Sequence, residues 1–374
     1  MGAGQEKDHF IQDSGELYFV CRVQEILEKK GVSISSNSHE KYSEFIKYVT
    51  DRDMLDEFTN SVYCESIESR ADDFVNELMS AFAGKKMDII NVEVEFRNLG
   101  KKGDFLIKVS DGRDISFSLK NYKNGGMKIQ LCSGTWASTL LNFIFVKEGK
   151  PGMYLDSQGN SFKGSDVETR NSILQTSYPE VIPILSQISE INDMIKQKYV
   201  YGEDASNWDN ISAEWKKDCE ELGCEGINLM INALKILPQE VIKNRVIKMA
   251  GLDRVEELLV LTYSKKGTNM LCSLTNEKYK RMVGDICSPE CSLDYKKKGK
   301  SLVFTFIKDE KKVIEVDIPF TFNANGAWHR PAKYEGTQFH QKEGVELAWG
   351  DRRPKKSKEL ATSTNTYISI KPYF

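Results

Sequence analysis

Apolar residues recur at helical spacing from the start of the chain. LYFVCRVQEILEKKG carries its large side chains on one face and stops at Gly31, and KYSEFIKYVTDRDMLDEF resumes that spacing after the polar run SISSNS. Residues 1–60 therefore read as a helical region. ESIESRADDFVNELMSAFAGKK is a further amphipathic helix, closed by Gly84 and a pair of lysines. A period of two then takes over. MDIINVEVEF, GDFLIKVS and DISFSLKNY read as three strands, and Asp111-Gly112 marks a tight hairpin between the second and third. After NGG the helical pattern returns in SGTWASTLLNFIFV, with Ser133 or Thr135 near its N-cap. Residues 61–165 thus hold a helix, three strands and a helix, in that order.

The next stretch, residues 166–255, is mostly helical: ETRNSILQTSYPEVIPILSQISEINDMIKQKY, ISAEWKKDCEELG and INLMINALKILPQEVIKNRVIKMAG. Strand-like runs then follow in EELLVLTYS, NMLCSL, SLVFTFI, KVIEVDIPFTF, VELAWG and NTYISI, so residues 256–374 form a β-rich C-terminal region. The class predicted is α/β, without internal repeats.

Composition adds bounds. The 374 residues are 40% hydrophobic and 29% charged, as in an ordinary globular protein. Lys and Arg total 52 against 55 Asp and Glu, a net charge of −3 that excludes a histone-like polycation or an acidic disordered chain. The balance is uneven along the chain. Residues 291–374 hold 16 basic against 10 acidic side chains, a sum of +6, so the preceding 290 residues sum to −9. The densest basic run is DRRPKKSKELATSTNTY, with Arg352, Arg353, Lys355, Lys356 and Lys358 ahead of hydroxyl and amide side chains. Such cations neutralise phosphates, while Ser, Thr and Asn position a nucleic-acid backbone by hydrogen bonding. Pro354 keeps the run out of a regular helix. Arg330, in NANGAWHRP beside Trp328 and His329, marks a second candidate contact loop.

Membrane partners are not expected. The apolar runs TLLNFIFV and ELLVLTY fall far short of the roughly 18–20 residues that span a bilayer. The N-terminal MGAGQEKDHF has no basic n-region, and Glu6 stands where a myristoylation pattern needs Ser or Thr. A cytoplasmic protein is expected. Its eight cysteines, spread along a long chain, read as reduced thiols rather than a disulfide framework. Cys219 with Cys224 and Cys287 with Cys291 lack the tight CxxC spacing of a zinc ribbon, which leaves zinc as the lesser alternative.

Candidate chemistry concentrates in one hairpin. The chain has no GxGxxG or GxxxxGK loop, no HExxH, no GxSxG and only four histidines. In KGDFLIKVSDGRDISFSLKNYK, Asp104 opens one strand while Ser118 and Lys120 sit near the end of the next. Residues at i and i+2 share a strand face, and folding at Asp111-Gly112 brings the start of one strand beside the end of the other. Asp104, Ser118 and Lys120 can then converge. A carboxylate there can hold a hard dication, and a lysine can orient or deprotonate the attacking water and stabilise charge on a phosphoryl oxygen. Asn121 and Gln130 are further polar residues near this point.

GDFLI followed by SFSLK resembles the signature of the PD-(D/E)xK, restriction-endonuclease-like nucleases. Their core is a helix, three strands, a helix and a further strand, the order read above. The resemblance covers about 80 residues and implies that Asp104 ligates Mg2+, as one or two ions, and that Lys120 is the catalytic lysine. It departs at Ser118, where the family usually has Glu or Asp, so that Ser118 would act on the metal directly or through water. Some restriction enzymes carry a non-acidic residue there. A glutamate from the first helix often completes the family's site. With 100° per residue from Phe74, the apolar residues Ile67, Ala71, Val75, Leu78, Met79 and Phe82 span about 140°, with Glu68 at about 120° and Glu77 at about 300°. Glu68 is therefore the candidate, and its alternative role is to favour the helix N-terminus.

The function this implies is a Mg2+-dependent endonuclease of double-stranded DNA, with a type II restriction enzyme as the nearest form. A homodimer is implied by the same likeness, although no segment signals a dimer interface. A phage or mobile-element nuclease without strict site specificity, a catalytically silent DNA-binding protein and an RNA-directed enzyme are the other classes.

Overall fold

The computed structural model describes residues 19, 22–32, 43, 50, 62–82, 89–94, 105–109, 114–122, 129–148, 152–198, 208–253, 258–264, 267–272, 276–323 and 363–373. The architecture is mixed α/β. Two compact units divide the chain, each assembled from three segments: Met1–Gly126, Arg254–Lys280 and His329–Lys355 in unit 1, and Met127–Asp253, Arg281–Trp328 and Lys356–Phe374 in unit 2.

In unit 1, helix α1 (residues 22–29) buries Val23, Ile26 and Leu27 and ends at Gly31, whose φ of +82° only glycine adopts freely. Helix α2 (Val62–Phe82) follows. Its buried residues are Ala71, Phe74, Val75, Leu78 and Phe82, an arc of about 100°, while Met79 is exposed. Arg70 and Asp73 pair at 2.7 Å one turn apart on this helix. Strands β1 (Ile89–Val94), β2 (Phe105–Val109) and β3 (Asp114–Tyr122) form an antiparallel meander. The sheet then continues with strands from far along the chain. β8 (Leu258–Ser264) lies parallel to β3, and β9 (Gly267–Cys272) is antiparallel to β8, for an order β1-β2-β3-β8-β9. The unbroken apolar run LLVL at the start of β8 suits a strand with neighbours on both sides. The core of this unit joins Phe74 to Phe117 edge-on, with ring centroids 5.4 Å apart, and Phe19 to Phe74 at 5.7 Å.

Unit 2 opens with β4 (Ile129–Gly134), a strand absent from the sequence reading, and α3 (Trp136–Ile144). Thr135 caps α3 as expected, its hydroxyl accepting from the Ser138 N–H at 3.1 Å. A small sheet of β5 (Val146–Lys147), β6 (Met153–Leu155) and β7 (Ser161–Lys163) clusters the rings of Phe145, Tyr154 and Phe162. The helical stretch resolves into α4 (Val167–Ser177), α5 (Val181–Lys198), α6 (Trp208–Leu234) and α7 (Gln239–Met249). Two further elements escaped the sequence reading, α8 (Glu277–Cys287) and β10 (Ser292–Lys298). β11 (Ser301–Lys308), β12 (Lys311–Asn323) and β13 (Ser363–Pro372) complete an antiparallel sheet in the order β10-β11-β12-β13-β4.

The core of unit 2 lies between that sheet and helices α3, α5 and α6. Trp136 is fully buried, its ring 5.3 Å from Phe320 and 4.9 Å from Phe322, and its indole N–H donates to the Asn365 carbonyl at 3.1 Å. Helix α6 approaches so closely that a Cβ on Gly226 would stand 2.5 Å from the Trp136 ring. Helix α7 is tied down by two side chains one turn apart. Gln239 donates to the Leu293 carbonyl at 2.6 Å, and the buried Lys243 donates to the Ser288 carbonyl at 2.8 Å, just past the end of α8.

Candidate active site

The hairpin singled out by sequence is strands β2 and β3. Their ladder pairs Leu106 with Ser116 and Ile107 with Ile115, and its last described rung joins Phe105 to Phe117. Phe105 directly follows Asp104 and Phe117 directly precedes Ser118. Asp104 itself lies outside the described residues.

Alternation assigns the faces. Ile107, Ile115 and Phe117 are buried on one face, and the Phe117 ring meets Phe74 of α2. Ser116, Ser118 and Lys120 hold the alternate positions and belong to the other face. In the parallel ladder Ser118 stands opposite Leu258 and Lys120 opposite Val260, so strand β8 places apolar residues beside both.

Helix α2, which carries Glu68, packs on the Phe117 side. The helix and the Ser118–Lys120 positions are therefore on opposite faces of the sheet. The buried arc of α2 is also narrower than its apolar pattern suggests, because Met79 is exposed. The Glu68 position, at about 120°, falls just beyond that arc. Among the described residues the ladder brings two carboxylate-bearing positions to the Ser118 face: Asp114, on β3 itself two same-face steps from Ser118, and Glu93. Glu93 of β1 pairs with Leu106, which pairs with Ser116. It lies two strands from β3, about 10 Å across the sheet, and one same-face step from Ser118. The alternation of NVEVEF was the available signal, since Glu93 is a polar position in a period-two run.

Carboxylate and hydroxyl oxygens are the donors that a hard dication such as Mg2+ accepts, so the residue types on this face fit such an ion. Among the described residues there is no group of three or more His, Cys, Asp or Glu side chains able to hold a metal. Cys224, Cys287 and Cys291 are free thiols. Burial pushes the Cys287 and Cys291 thiols above their ordinary value, with Lys243 opposing the shift in both. Arg330, Arg352, Arg353, Lys355, Lys356 and Lys358 lie outside the described residues. No helix among the described residues is long and apolar enough to cross a membrane. No family model, curated protein or solved structure matches this chain.

Proposed function

We propose that this chain is a Mg2+-dependent endonuclease that hydrolyses phosphodiester bonds in double-stranded DNA, using the PD-(D/E)xK arrangement. The observation that carries the reading is the β2–β3 ladder, which ends one residue from both Asp104 and Ser118 and gives Ser118 and Lys120 a common face. The elements of unit 1 support it in part: a helix, a three-strand antiparallel meander and a further strand parallel to β3 share this unit, while the second helix of the expected order, α3, belongs to unit 2.

In this mechanism Asp104 holds the metal, with Ser118 contributing its hydroxyl directly or through water. A Mg2+ ion held by these residues would supply polarisation of the scissile phosphate and a water of lowered pKa. Lys120 orients or deprotonates the attacking water and offsets charge on the phosphoryl oxygens. Glu68 completes the site only if it reaches it around the sheet edge, so its substitution is informative. Site-specific cleavage, as in a type II restriction enzyme acting as a homodimer, is the finer form of the proposal. A DNA-binding protein without catalysis is the second reading, favoured by the hydroxyl of Ser118 where an acid would bind metal more strongly.

Plasmid and phage DNA incubated with Mg2+ or with EDTA separate these readings. Discrete Mg2+-dependent fragments are expected for a restriction enzyme, and a smear for a nuclease without site preference. Lys120→Ala and Asp104→Ala should each lower cleavage by about 100-fold or more. Glu68→Gln should cost under about tenfold, given the opposed faces. Full cleavage by Lys120→Ala would sink the site assignment, and a DNA shift without any cleavage by the wild type would favour the silent reading.

A further inference from the structure

Strand β10 is one outer edge of the unit 2 sheet, and its sequence SLDYKKK changes character midway. The first half anchors the strand: Leu293 is buried, and the Tyr295 ring lies 5.7 Å from that of Phe304. Lys296, Lys297 and Lys298 follow, all exposed, and Lys300 in the turn is exposed too. Gly299 has φ +60° and Lys298 pairs with Ser301, which is the two-residue II′ geometry that fixes a hairpin tip. The cations therefore sit on a defined scaffold rather than on a loose loop.

Their neighbours offset them only in part: Asp294 precedes them on the same strand, and Lys298 interacts electrostatically with Glu315 of β12. Lys300 pairs with Glu220 of α6 at 2.9 Å, but Lys296, Lys297 and Lys298 have no carboxylate within 4.0 Å among the described residues. Residues 295–301, YKKKGKS, hold four lysines and no acid. Lys296 and Lys298 share one face about 7 Å apart and Lys297 takes the other, so the charge faces both ways along the edge. A lysine on an edge strand can also serve to repel a second strand. One or two suffice for that, whereas three in succession plus a fourth at the tip add mutual repulsion that a polyanion relieves.

We propose that the β10–β11 hairpin binds the phosphate backbone of duplex DNA. The choice of DNA among polyanions rests on the nuclease reading above. Lysine is a hydrated point charge on a flexible stem, suited to phosphate contact rather than to bidentate reading of a base edge. The hairpin therefore contributes affinity and little sequence preference.

The test is binding of a short fluorescent duplex to the full chain in EDTA, titrated against salt. In Lys296→Gln/Lys297→Gln/Lys298→Gln, affinity should fall at least about tenfold, and the slope of log K against log salt should become shallower by about two to three. The control, Lys235→Gln/Lys248→Gln/Lys311→Gln, changes the same charge at exposed positions of the same unit and should stay within about twofold. Replacing the three hairpin lysines by Arg should keep binding, which separates charge from folding. Should the triple Gln variant lose its cooperative melt, Lys297→Gln alone carries the test, with a slope change of about one. Equal losses in the hairpin and control variants, or unchanged binding by the hairpin variant, would overturn the proposal. Because EDTA removes cleavage, an inactive protein that binds through the hairpin refutes the nuclease reading alone, and an active one with an indifferent hairpin refutes this one alone.

Discussion

Tyr373 and Glu315 show how one hydrogen bond couples stability to pH. The Tyr373 hydroxyl donates to the Glu315 carboxylate at 2.7 Å, and Lys312 approaches the same side chain at 3.0 Å. The tyrosine hydrogen bond, ahead of Lys312, holds the Glu315 carboxyl below its ordinary value of 4.5, and the same contact pushes Tyr373 up to about 12. A lowered carboxyl contributes stability that is present above the ordinary value and is lost as pH falls through the lowered one. A raised phenol contributes below pH 10 and loses its contribution as pH rises through about 12. Tyr373→Phe should therefore cost about 1 kcal/mol or less near neutrality, with the cost shrinking in acid. Urea unfolding of both proteins from neutral pH to well below 4.5 reads this directly. A difference that stays constant with pH would disprove the coupling. At the same scale, the sequence made Ser118 and Lys120 legible because strand alternation fixes which residues share a face. Glu68 was less legible: a helical wheel reports nearness to the apolar stripe and nothing about which side of a sheet the helix will cover.

Among the elements, the β11–β12 turn stands out for its strain. Asp309 and Glu310 connect Lys308 to Lys311 with φ of 50° and 61°. That is the sign pattern of a type I′ turn, where Asn-Gly or Asp-Gly is usual. Aspartate tolerates the left-handed region, but glutamate has no side-chain compensation there. Glu310→Gly should raise stability by about 0.5–1 kcal/mol, seen as a higher urea midpoint at unchanged m. An unchanged or lower midpoint would contradict the strain. The helices of residues 166–255 and the strands β8, β9, β11, β12 and β13 were legible because their apolar runs are long. β4 was missed because it is short and sits between glycines and a helix. β10 was missed because its three lysines erase the alternation after Tyr295. In α8, buried Tyr279, Met282 and Ile286 do follow helical spacing, but they are diluted by charge and by Gly284. Which strand pairs with which was beyond periodicity altogether, since the parallel partner of β3 lies far along the chain.

For the whole molecule, both units are discontinuous in sequence. Residues 1–126 hold α2 and the meander but neither β8 nor β9, leaving β3 without its parallel neighbour. A fragment of residues 1–126 should therefore show no cooperative thermal transition by circular dichroism, because a three-strand meander with one helix buries too little apolar surface. A sharp transition in that fragment would mean that the meander is autonomous. The net charge of −3, neutral in sum, is likewise an offset between a basic C-terminal region and an acidic remainder. Part of that basic excess stands on the β10–β11 hairpin.

Strand β13 lies between β12 and β4, closing a sheet whose other members come from both earlier segments of unit 2. On the ribosome this imposes a wait. At a synthesis rate of ~5–20 residues per second, β4 emerges roughly ten to forty-five seconds before the strand that will cover its edge. During that interval the nascent chain carries an open strand edge and the hydrophobic side chains above it, so the speed of translation and the chaperones at hand bear on its yield as much as any contact in the finished sheet does.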